Sequence, residues 1–429
     1  MKKVCIIGSG YVGLVSGVCF AELGNKVILV DNDKKKIDML LKGDIPIYEP
    51  GLDKLLKKNK SRIHFTTEIK RGVQESEIIF ICVGTPPHDD GSADLSAIEH
   101  VATEISRSMT SYRLIVEKST VPVETGEWIK NTIERNLGKK KIPFDVASNP
   151  EFLREGTAIE DLLYPDRVVI GVESARAEKL LTELYKPLKS QIVVTDIKSA
   201  ELIKHASNSF LAMKISFINS VANVCERVGA DVTKVSVGMG MDKRIGKSFL
   251  SAGIGFGGFC FPKDLDAFYW ISKKVGFDFK LLSATREVNK HQKEMLVKKI
   301  EDTLWILKDK TITFLGMAFK PNTDDMRMAP SIDLAEMLIK KHAKIKVYDP
   351  VAMDKAKEVL TGVQYCDSAY DALKSSDCAV LITEWDEFGK LDFNKVKRIM
   401  NQPVLIDGRN YYNPDKIRKL GFIYKGVGR

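Results

Sequence analysis

The sequence has no run of 18 or more consecutive apolar residues, the length that a membrane-spanning helix requires, so no membrane span is predicted. Its six histidines and seven cysteines lack the short spacings of metal ligands, and no metal site is predicted. Basic patches interleaved with aromatic residues are also missing, which argues against a nucleic-acid partner despite a formal net charge of +9. The excess of cations is expected to bind anionic phosphates instead.

The cysteines are odd in number and widely scattered, which favours free thiols over a disulfide framework. Free thiols indicate a reducing compartment, by default the cytosol. The apolar N-terminal run imitates a secretory signal, but four glycines interrupt it and a second strand pattern follows directly. We interpret this run as the first strand and helix of a folded domain.

The first unit has the pattern of a strand at residues 4–7, a glycine turn, a helix and a second strand at residues 26–30. Gly8 permits a tight turn, Gly10 lets a pyrophosphate approach the backbone, and Gly13 lets the helix pack on the strand. The N-terminus of the helix supplies amide donors for phosphate. This context predicts dinucleotide binding.

Asp31 ends the second strand, 18 residues beyond Gly13, where it can accept hydrogen bonds from a ribose diol. A carboxylate at this position favours NAD over NADP because it would repel a 2′-phosphate. Lys34, Lys35 and Lys36 weaken that preference, although at least two of them fit a solvated first helical turn better.

Two further strand patterns, at residues 77–83 and 114–116, end in the polar loops 84–87 and 118–122. Ligands of open parallel sheets bind at the carboxyl ends of strands, so both loops are candidates for ligand binding. Thr120 alone fits a simple turn hydroxyl equally well.

A long helical pattern runs from Ser199 to Val228 and carries Lys204 and Asn208 one turn apart on one face. Its length is typical of a spine that links domains, and we expect it to be buried against a second subunit of a homodimer or larger homo-oligomer. A polar pair on so apolar a helix lowers stability unless it has partners.

The last part of the chain repeats the plan of the first, with strand patterns at residues 311–315 and 346–348 that end at Gly316 and Asp349. The loop 317–325 replaces the compact glycine fingerprint, so this copy is expected to bind a different nucleotide-like ligand. At 429 residues, two or three domains are expected. We predict an α/β fold of two doubly wound Rossmann-like domains joined by a long central helix and a helical region.

Residues 256–264 place Cys260 on a glycine turn with Lys263 and Asp264 close behind. A thiolate is a strong nucleophile for carbonyl chemistry, and a nearby ammonium lowers the pKa of a thiol. Cys260 is a candidate for covalent catalysis, although a lone cysteine in such a loop is more often structural. Two nucleotide-type domains with such a nucleophile between them in the sequence imply a redox step on a nucleotide-bearing substrate.

The chain resembles the nucleotide-sugar 6-dehydrogenases of the UDP-glucose/GDP-mannose dehydrogenase family. The resemblance covers nearly the whole length in the family's order, in segments 8–13, 84–86, 118–120, 149–156, 204–208, 255–264 and 316–327. It implies an NAD-binding domain at 1–198, a central helical and dimerisation region with the cysteine loop at 199–305, and a UDP-sugar-binding domain at 306–429.

The resemblance also implies a four-electron oxidation of the C6 alcohol of UDP-glucose to a carboxylate, with two NAD+ per sugar. Cys260 would trap the aldehyde as a thiohemiacetal, and a second hydride transfer would give a thioester that water hydrolyses. Lys204 and Asn208 would stabilise the developing alkoxide. Asp264 would orient Lys204 and a water for proton removal from the alcohol, and Glu151 would activate the hydrolytic water.

By the same resemblance, the cofactor would contact Gly8, Gly10, Tyr11, Val12, Gly13, Asp31, Lys36, Thr85, Pro86, Ser119, Thr120, Glu155, Lys263 and Arg327. Thr120 also counts among the catalytic residues. The UDP-sugar would contact Glu151, Phe152, Leu153, Arg154, Glu155, Lys204, Asn208, Arg244, Phe249, Leu250, Ser251, Gly253, Gly257, Phe319, Lys320 and Arg409. Arg244 would reach the substrate of a neighbouring subunit. Two positions depart from the family's pattern: Phe259 replaces a serine and Met328 a common glutamate.

Three alternatives stay open: two concern the substrate, in place of UDP-glucose, and one concerns whether the chain is an enzyme. Sister enzymes of the family act on GDP-mannose or on UDP-N-acetylmannosamine through the same cysteine. Segment 151–156 argues against the second, and residues 320–327 are similar to the UDP-glucose branch. A non-catalytic nucleotide-sugar sensor would need shape and phosphate cations but no nucleophile.

Overall fold

A computed structural model describes all 429 residues, beginning with an eight-stranded sheet flanked by helices. Its strands are β1 (Lys3–Ile7), β2 (Lys26–Val30), β3 (Ile63–Thr66), β4 (Ile78–Ile81), β5 (Arg113–Glu117), β6 (Phe144–Ser148), β7 (Arg167–Val172) and β8 (Gln191–Thr195). The helices between them are α1 (Tyr11–Glu22), α2 (Lys34–Lys42), α3 (Leu52–Asn59), α4 (Ile69–Glu75), α5 (Ser96–Ser108), α6 (Thr125–Leu137), α7 (Ala158–Leu163) and α8 (Ala175–Tyr185).

Four helices follow: α9 (Ile197–Val228), α10 (Val232–Gly240), α11 (Cys260–Lys274) and α12 (Lys280–Leu304). A second sheet then contains β9 (Thr311–Leu315), β10 (Lys344–Tyr348), β11 (Val363–Tyr365), β12 (Cys378–Leu381), β13 (Val404–Asp407) and β14 (Ile423–Lys425). Its helices are α13 (Pro330–Lys340), α14 (Met353–Val359), α15 (Ala369–Leu373), α16 (Phe393–Ile399) and α17 (Pro414–Lys419). Short 3-10 helices lie at Lys60–Arg62, Lys186–Leu188 and Phe388–Lys390.

The strand orders are β3-β2-β1-β4-β5-β6-β7-β8 and β11-β10-β9-β12-β13-β14. Every neighbouring pair is parallel except β6 and β7, which are antiparallel. The central strands are almost entirely apolar because both of their faces pack against buried side chains. In each sheet the chain order reverses beside the first strand, at β1 and at β9, and an open sheet binds ligands at the carboxyl edge of such a point.

The chain forms two units, one of residues 1–207 with 266–277 and one of residues 208–265 with 278–429. The predicted fold class is confirmed, since both doubly wound sheets and the long helix are present. The finer domain bounds at 198 and 305 stay a prediction. No helix combines the length and apolarity needed to cross a membrane, and no group of three acidic, cysteine or histidine side chains is placed to hold a metal ion.

Candidate active site

The turn after β1 has the geometry that its glycines predict. Gly8 has a φ of +103°, which is a left-handed conformation that favours glycine. A Cβ on Gly13 would lie 1.9 Å from the carbonyl oxygen of Gly8, whereas a Cβ on Gly10 would meet no atom within 4 Å. Val12 packs on the core behind the turn. The space beside Gly10 and the uncapped amides of α1 form a cradle that fits a pyrophosphate, so the turn fits the predicted dinucleotide.

Asp31 is buried at the carboxyl end of β2 and is held by the turn itself. Its Oδ2 accepts hydrogen bonds from the backbone N (2.7 Å) and the hydroxyl (2.6 Å) of Ser9, and its Oδ1 accepts one from the backbone N of Asp33 (2.9 Å). Burial alone would raise the pKa of Asp31, but these hydrogen bonds and the more distant Lys36 hold it below its usual value. The side chain is therefore a fixed carboxylate, as discrimination against a 2′-phosphate requires.

Tyr11, in the first turn of α1, contacts a glutamate that the sequence reasoning missed. The Tyr11 hydroxyl donates to Glu49, and the same carboxylate accepts the backbone N–H groups of Gly156 (2.6 Å) and Ala158 (2.8 Å). Burial and then the Glu49 hydrogen bond raise the pKa of Tyr11. Glu49 thus fixes the loop that carries Glu155 next to the glycine turn, and only its position before a proline and a glycine could have signalled this.

The loops after β4 and β5 are tied to one another. The Thr85 hydroxyl donates to the carbonyl of Thr120 (2.9 Å), and the Ser119 hydroxyl donates to the carbonyl of Val83 (2.8 Å). Pro86 is exposed on the same edge of the sheet. The structure therefore brings these four predicted cofactor residues together.

Lys118, at the end of β5, is a buried lysine that the sequence reasoning did not assign. Its Nζ donates to the side-chain oxygen of Asn149 (2.9 Å), which also accepts from the Tyr185 hydroxyl. Burial lowers the pKa of Lys118, while neighbouring acidic groups including Glu151 oppose that shift. A lysine directly after an apolar strand was the available signal.

Glu151 and Lys204 form a buried ion pair. Oε1 of Glu151 lies 2.9 Å from Nζ of Lys204, and each side chain is 5% exposed. The other carboxylate oxygen accepts the backbone N–H of Leu153, while the Lys204 ammonium lies 5.5 Å from the centre of the Phe152 ring. Two predicted catalytic residues, separated by 53 positions in the chain, are thus in direct contact.

Two predicted substrate arginines pair with carboxylates close to them in sequence. Arg154 lies 2.5 Å from Asp161, and Arg244 lies 2.6 Å from Asp242. The Arg244 side chain is 89% exposed and that of Arg154 is 63% exposed. Both guanidinium groups must exchange these partners, or share them, before they can bind a substrate.

Cys260 is the first residue of α11 and follows a tightly packed glycine turn. A Cβ on Gly257 would lie 2.4 Å from the carbonyl oxygen of Met328. Gly258 has a φ of +78°, and a Cβ there would lie 2.7 Å from the Phe319 ring. Larger residues at these two positions would displace the backbone that holds the thiol.

Cys260 is also the one cysteine of the seven that is partly exposed. Burial raises the pKa of Cys19 and of Cys82 to about 12, so these thiols are inert at neutral pH. A helix N-terminus, by contrast, stabilises negative charge on a group placed there. Cys260 is the thiol that the fold makes available for reaction.

Asp264, one turn beyond the thiol in α11, is completely buried and contacts two other predicted site residues. Its Oδ2 accepts from the side-chain amide of Asn208 (2.6 Å), and its Oδ1 lies 2.7 Å from Nζ of Lys263. The Phe259 ring lies 5.6 Å from the Lys263 ammonium and 4.3 Å from the guanidinium of Arg327. Phe259, which stands where the family's pattern has a serine, therefore places an aromatic ring beside two cations.

Arg409, two residues after β13, binds backbone carbonyls and lies 3.3 Å from the Glu384 carboxylate. It donates to the carbonyls of Ile382 (2.6 Å), Phe319 (3.0 Å) and Gly255 (3.4 Å). The neighbouring Lys320 ammonium lies 5.4 Å from the Phe319 ring. Arg409 thus joins two segments that were predicted to line the substrate, at Gly255 and Phe319, to the residue that follows β12, Ile382.

The loop before Cys260 contains four other predicted substrate residues in different environments. Leu250 is buried and packs in the core, whereas Ser251 is exposed. Phe249 has a φ of +64°, and the backbone N of Gly253 donates to the Asn219 side chain (2.9 Å). Asn219 of α9 thus holds the backbone of this loop. Contacts to a ligand would come from the amides of the loop and from its exposed side chains.

Comparisons with known proteins agree with this geometry. Models of the UDP-glucose/GDP-mannose dehydrogenase family match the chain at residues 2–189 (NAD binding domain), 198–291 (central domain) and 313–414 (UDP binding domain). UDP-glucose 6-dehydrogenase TuaD of Bacillus subtilis (strain 168) is 47% identical over 432 residues, which cover 100% of this chain and 94% of the relative. A UDP-glucose 6-dehydrogenase of Rhizobium meliloti (strain 1021) is 45% identical, with 100% and 99% covered.

Solved structures show the same likeness over the full length. A UDP-glucose dehydrogenase from the archaeon Pyrobaculum islandicum superimposes with a TM-score of 0.94 at 38% identity, with 100% of this chain and 98% of that chain covered. A UDP-D-ManNAc dehydrogenase from Pyrococcus horikoshii gives a TM-score of 0.88 at 28% identity, with 100% and 99% covered. The chain, with its NAD-binding and UDP-binding domains, therefore belongs to the UDP-glucose/GDP-mannose dehydrogenase family.

Proposed function

We propose that the chain is a UDP-glucose 6-dehydrogenase, which oxidises C6 of UDP-glucose by four electrons to give UDP-glucuronate. The observation that carries the proposal is Cys260, a partly exposed thiol at the start of α11 in a chain whose other six cysteines are buried. The names of the full-length relatives support the choice of substrate. The free thiols fit our proposal that the enzyme works in the reducing cytosol.

The first oxidation needs a group that takes the hydroxyl proton and donors that stabilise the oxygen as its charge develops. Lys204 and Asn208, one turn apart in α9, supply a cation and an amide donor for this oxygen. Asp264 orients Lys204 and a water, and the hydroxyl proton passes to this water, while Thr120 and Glu155 hold the nicotinamide side. NAD+, when bound, accepts one hydride in each of two successive oxidations. Removing one donor from a comparable oxyanion site costs about 2.7–4 kcal/mol of activation free energy.

Cys260 then makes the second oxidation possible. Its Sγ bonds to the aldehyde carbon and the thiol proton passes to the aldehyde oxygen, which gives a thiohemiacetal whose carbon still bears hydrogen. Loss of a hydride from this carbon and a proton from its hydroxyl leaves a thioester. Glu151 takes a proton from water, the water oxygen bonds to the thioester carbon, and the C–S bond breaks to release the thiolate and the acid.

The remaining predicted contacts divide between the two ligands. We propose that Lys263 and Arg327 bind the cofactor's phosphates. The UDP-sugar would be held by the segment 151–155, the loop 249–257 and Phe319-Lys320, and Arg409 would meet its sugar or diphosphate side. We also propose the domain bounds 1–198, with the glycine turn for the cofactor, 199–305, with the cysteine loop, and 306–429, with the UDP-sugar residues Phe319, Lys320 and Arg409.

Purified protein will form two NADH for each UDP-glucose consumed, because the thiol retains the half-oxidised sugar until its second oxidation. The measurement is NADH absorbance at the end of reactions limited by sugar, together with initial rates in competition with GDP-mannose and UDP-N-acetylmannosamine. One NADH per sugar would contradict the proposed reaction. A higher kcat/KM for either competing sugar would reassign the substrate within the family.

We also propose that the chain works as a homodimer or larger homo-oligomer through α9. Phe210, Phe217 and Val224 lie seven residues apart on this helix, and each is more than half exposed. An apolar stripe with this spacing is typical of a helix that packs on a second copy. In such an assembly the exposed Arg244 would reach the substrate of the neighbouring subunit.

Replacing Phe217 by glutamate will therefore convert the assembly to monomers, since each copy would place a charge in the apolar contact. Light scattering after size-exclusion chromatography measures the mass. The matched control is Val275→Glu, which adds a charge at a residue that is 72% exposed outside α9. A native monomer, or an assembly that survives Phe217→Glu, would contradict the proposed interface.

A further inference from the structure

The first half of α9 carries two buried ionisable side chains that the proposed reaction does not use. Glu201 is 2% exposed and His205 is 1% exposed. They lie one turn apart, on either side of Lys204. Both contact the segment from Val121 to Gly126, which joins β5 to α6 directly after Thr120.

Glu201 caps the start of α6 from a distant part of the chain. Its Oε1 accepts the backbone N–H of Gly126 (2.7 Å), and its Oε2 accepts that of Glu124 (2.8 Å). Glu124 has a φ of 85°, a strained conformation for a residue with a side chain, which persists only where its surroundings hold it. A Cβ on Gly126 would lie 2.5 Å from Ile197, so the close approach of α9 requires glycine.

His205 holds the other end of the same segment. Its Nε2 donates to the carbonyl of Val121 (2.7 Å), the residue after Thr120. The carbonyl of Thr120 itself accepts from Thr85 on the neighbouring loop. The backbone at Thr120 is therefore held by Thr85, in the loop after β4, and by His205 of α9 at the next residue.

The position of the Thr120 loop on the sheet indicates which half of a bound dinucleotide lies near it. Asp31 follows β2, on one side of β1, and the Thr120 loop follows β5, on the other side beyond β4. A dinucleotide with its adenosine ribose at Asp31 would cross the glycine turn after β1, so its nicotinamide half would lie on the side of β4 and β5.

We infer that Glu201 and His205 are positioning residues that fix the Thr120 loop for the nicotinamide half of bound NAD+. The inference rests on the proposed function only in taking NAD+ to bind at this edge of the sheet. Burial raises the pKa of Glu201 to about 7 even though the two amides lower it. A carboxylate that is so costly to bury is consistent with a role that an apolar side chain could not perform.

The test compares His205→Leu with His205→Gln in the full chain, with NAD+ affinity measured by calorimetry. Leucine removes the donor to Val121, and we expect NAD+ to bind about three- to tenfold more weakly, as for the loss of one hydrogen bond. Glutamine presents an amide N–H to the same carbonyl and should restore the affinity to within about twofold. Glu201→Ala should weaken NAD+ binding in the same direction, and KM for UDP-glucose should stay unchanged in all three variants.

Ser216→Ala is the matched control. Ser216 lies on α9, like His205, but its hydroxyl donates to the carbonyl of Thr285 (2.9 Å) and not to the Thr120 loop. This variant should lower the melting temperature and leave NAD+ affinity at the wild-type value. Unchanged affinity in His205→Leu, or no restoration by glutamine, would overturn the inference. If the variants show the expected NAD+ affinities but the wild-type protein does not oxidise UDP-glucose, the inference is supported and the proposed function is contradicted.

Discussion

Replacing Cys260 by serine will lower steady-state kcat by about a thousandfold or more. A serine hydroxyl is a much weaker nucleophile than a thiolate, so the aldehyde formed by the first oxidation would not be captured. The rate is measured as NADH formation from saturating UDP-glucose and NAD+. Equilibrium NAD+ binding should stay at the wild-type value, since the cofactor turn after β1 is unaffected.

Cys225→Ser is the matched control for this variant, because Cys225 is a buried cysteine to which we assign no part in the reaction. It should turn over at close to the wild-type rate. A Cys260→Ser enzyme with unchanged steady-state turnover would rule out the covalent route.

Replacing Glu151 by glutamine will stop the reaction at a later stage, after both oxidations. Glutamine can accept the Leu153 hydrogen bond but cannot take a proton from water, and a general base contributes about a hundred- to ten-thousandfold to a rate. We expect a rapid burst of two NADH per Cys260, then slow turnover with the thioester retained on the enzyme. Rapid-quench measurement of NADH per enzyme distinguishes this burst from a slow first oxidation.

The same substitution also tests the buried ion pair. Removing one partner of such a pair typically destabilises a protein by about 3–5 kcal/mol, and the hydrogen-bonding capacity of glutamine should reduce that loss. The melting temperature of Glu151→Gln should therefore fall, whereas Glu160→Gln, an exposed change nearby, should leave stability and turnover unchanged. Wild-type turnover by Glu151→Gln would show that another group activates the water.

The strands and turns with strong local signals could be predicted from the sequence. The order strand, glycine turn, helix, strand and acid at Gly8 to Asp31 is determined by residues close together in the chain. The strand predicted at residues 26–30 is β2 itself, and the helix predicted at Ser199 to Val228 is α9 within two residues. The prediction missed the short edge strand β8, whose residues are largely half-buried or exposed and so lack an apolar pattern.

Contacts between distant segments could not be predicted by residue type and spacing. Nothing local in the sequence shows that Lys204 pairs with Glu151, or that Glu49 binds the backbone of Gly156. Arg409 was predicted to bind substrate, and nothing local in the sequence showed that it also donates to three backbone carbonyls, which use only part of the donor capacity of a guanidinium. Such partners depend on the sheet topology, which brings distant loops to one edge.

In the proposed reaction, the sulfur of Cys260 carries the sugar from the first oxidation to the second. Mass spectrometry of reactions quenched during turnover tests it most directly, in the wild type and in Glu151→Gln. We expect a UDP-sugar adduct on the peptide that contains Cys260, with no aldehyde free in solution. Accumulation of free aldehyde without any adduct on Cys260 would contradict it.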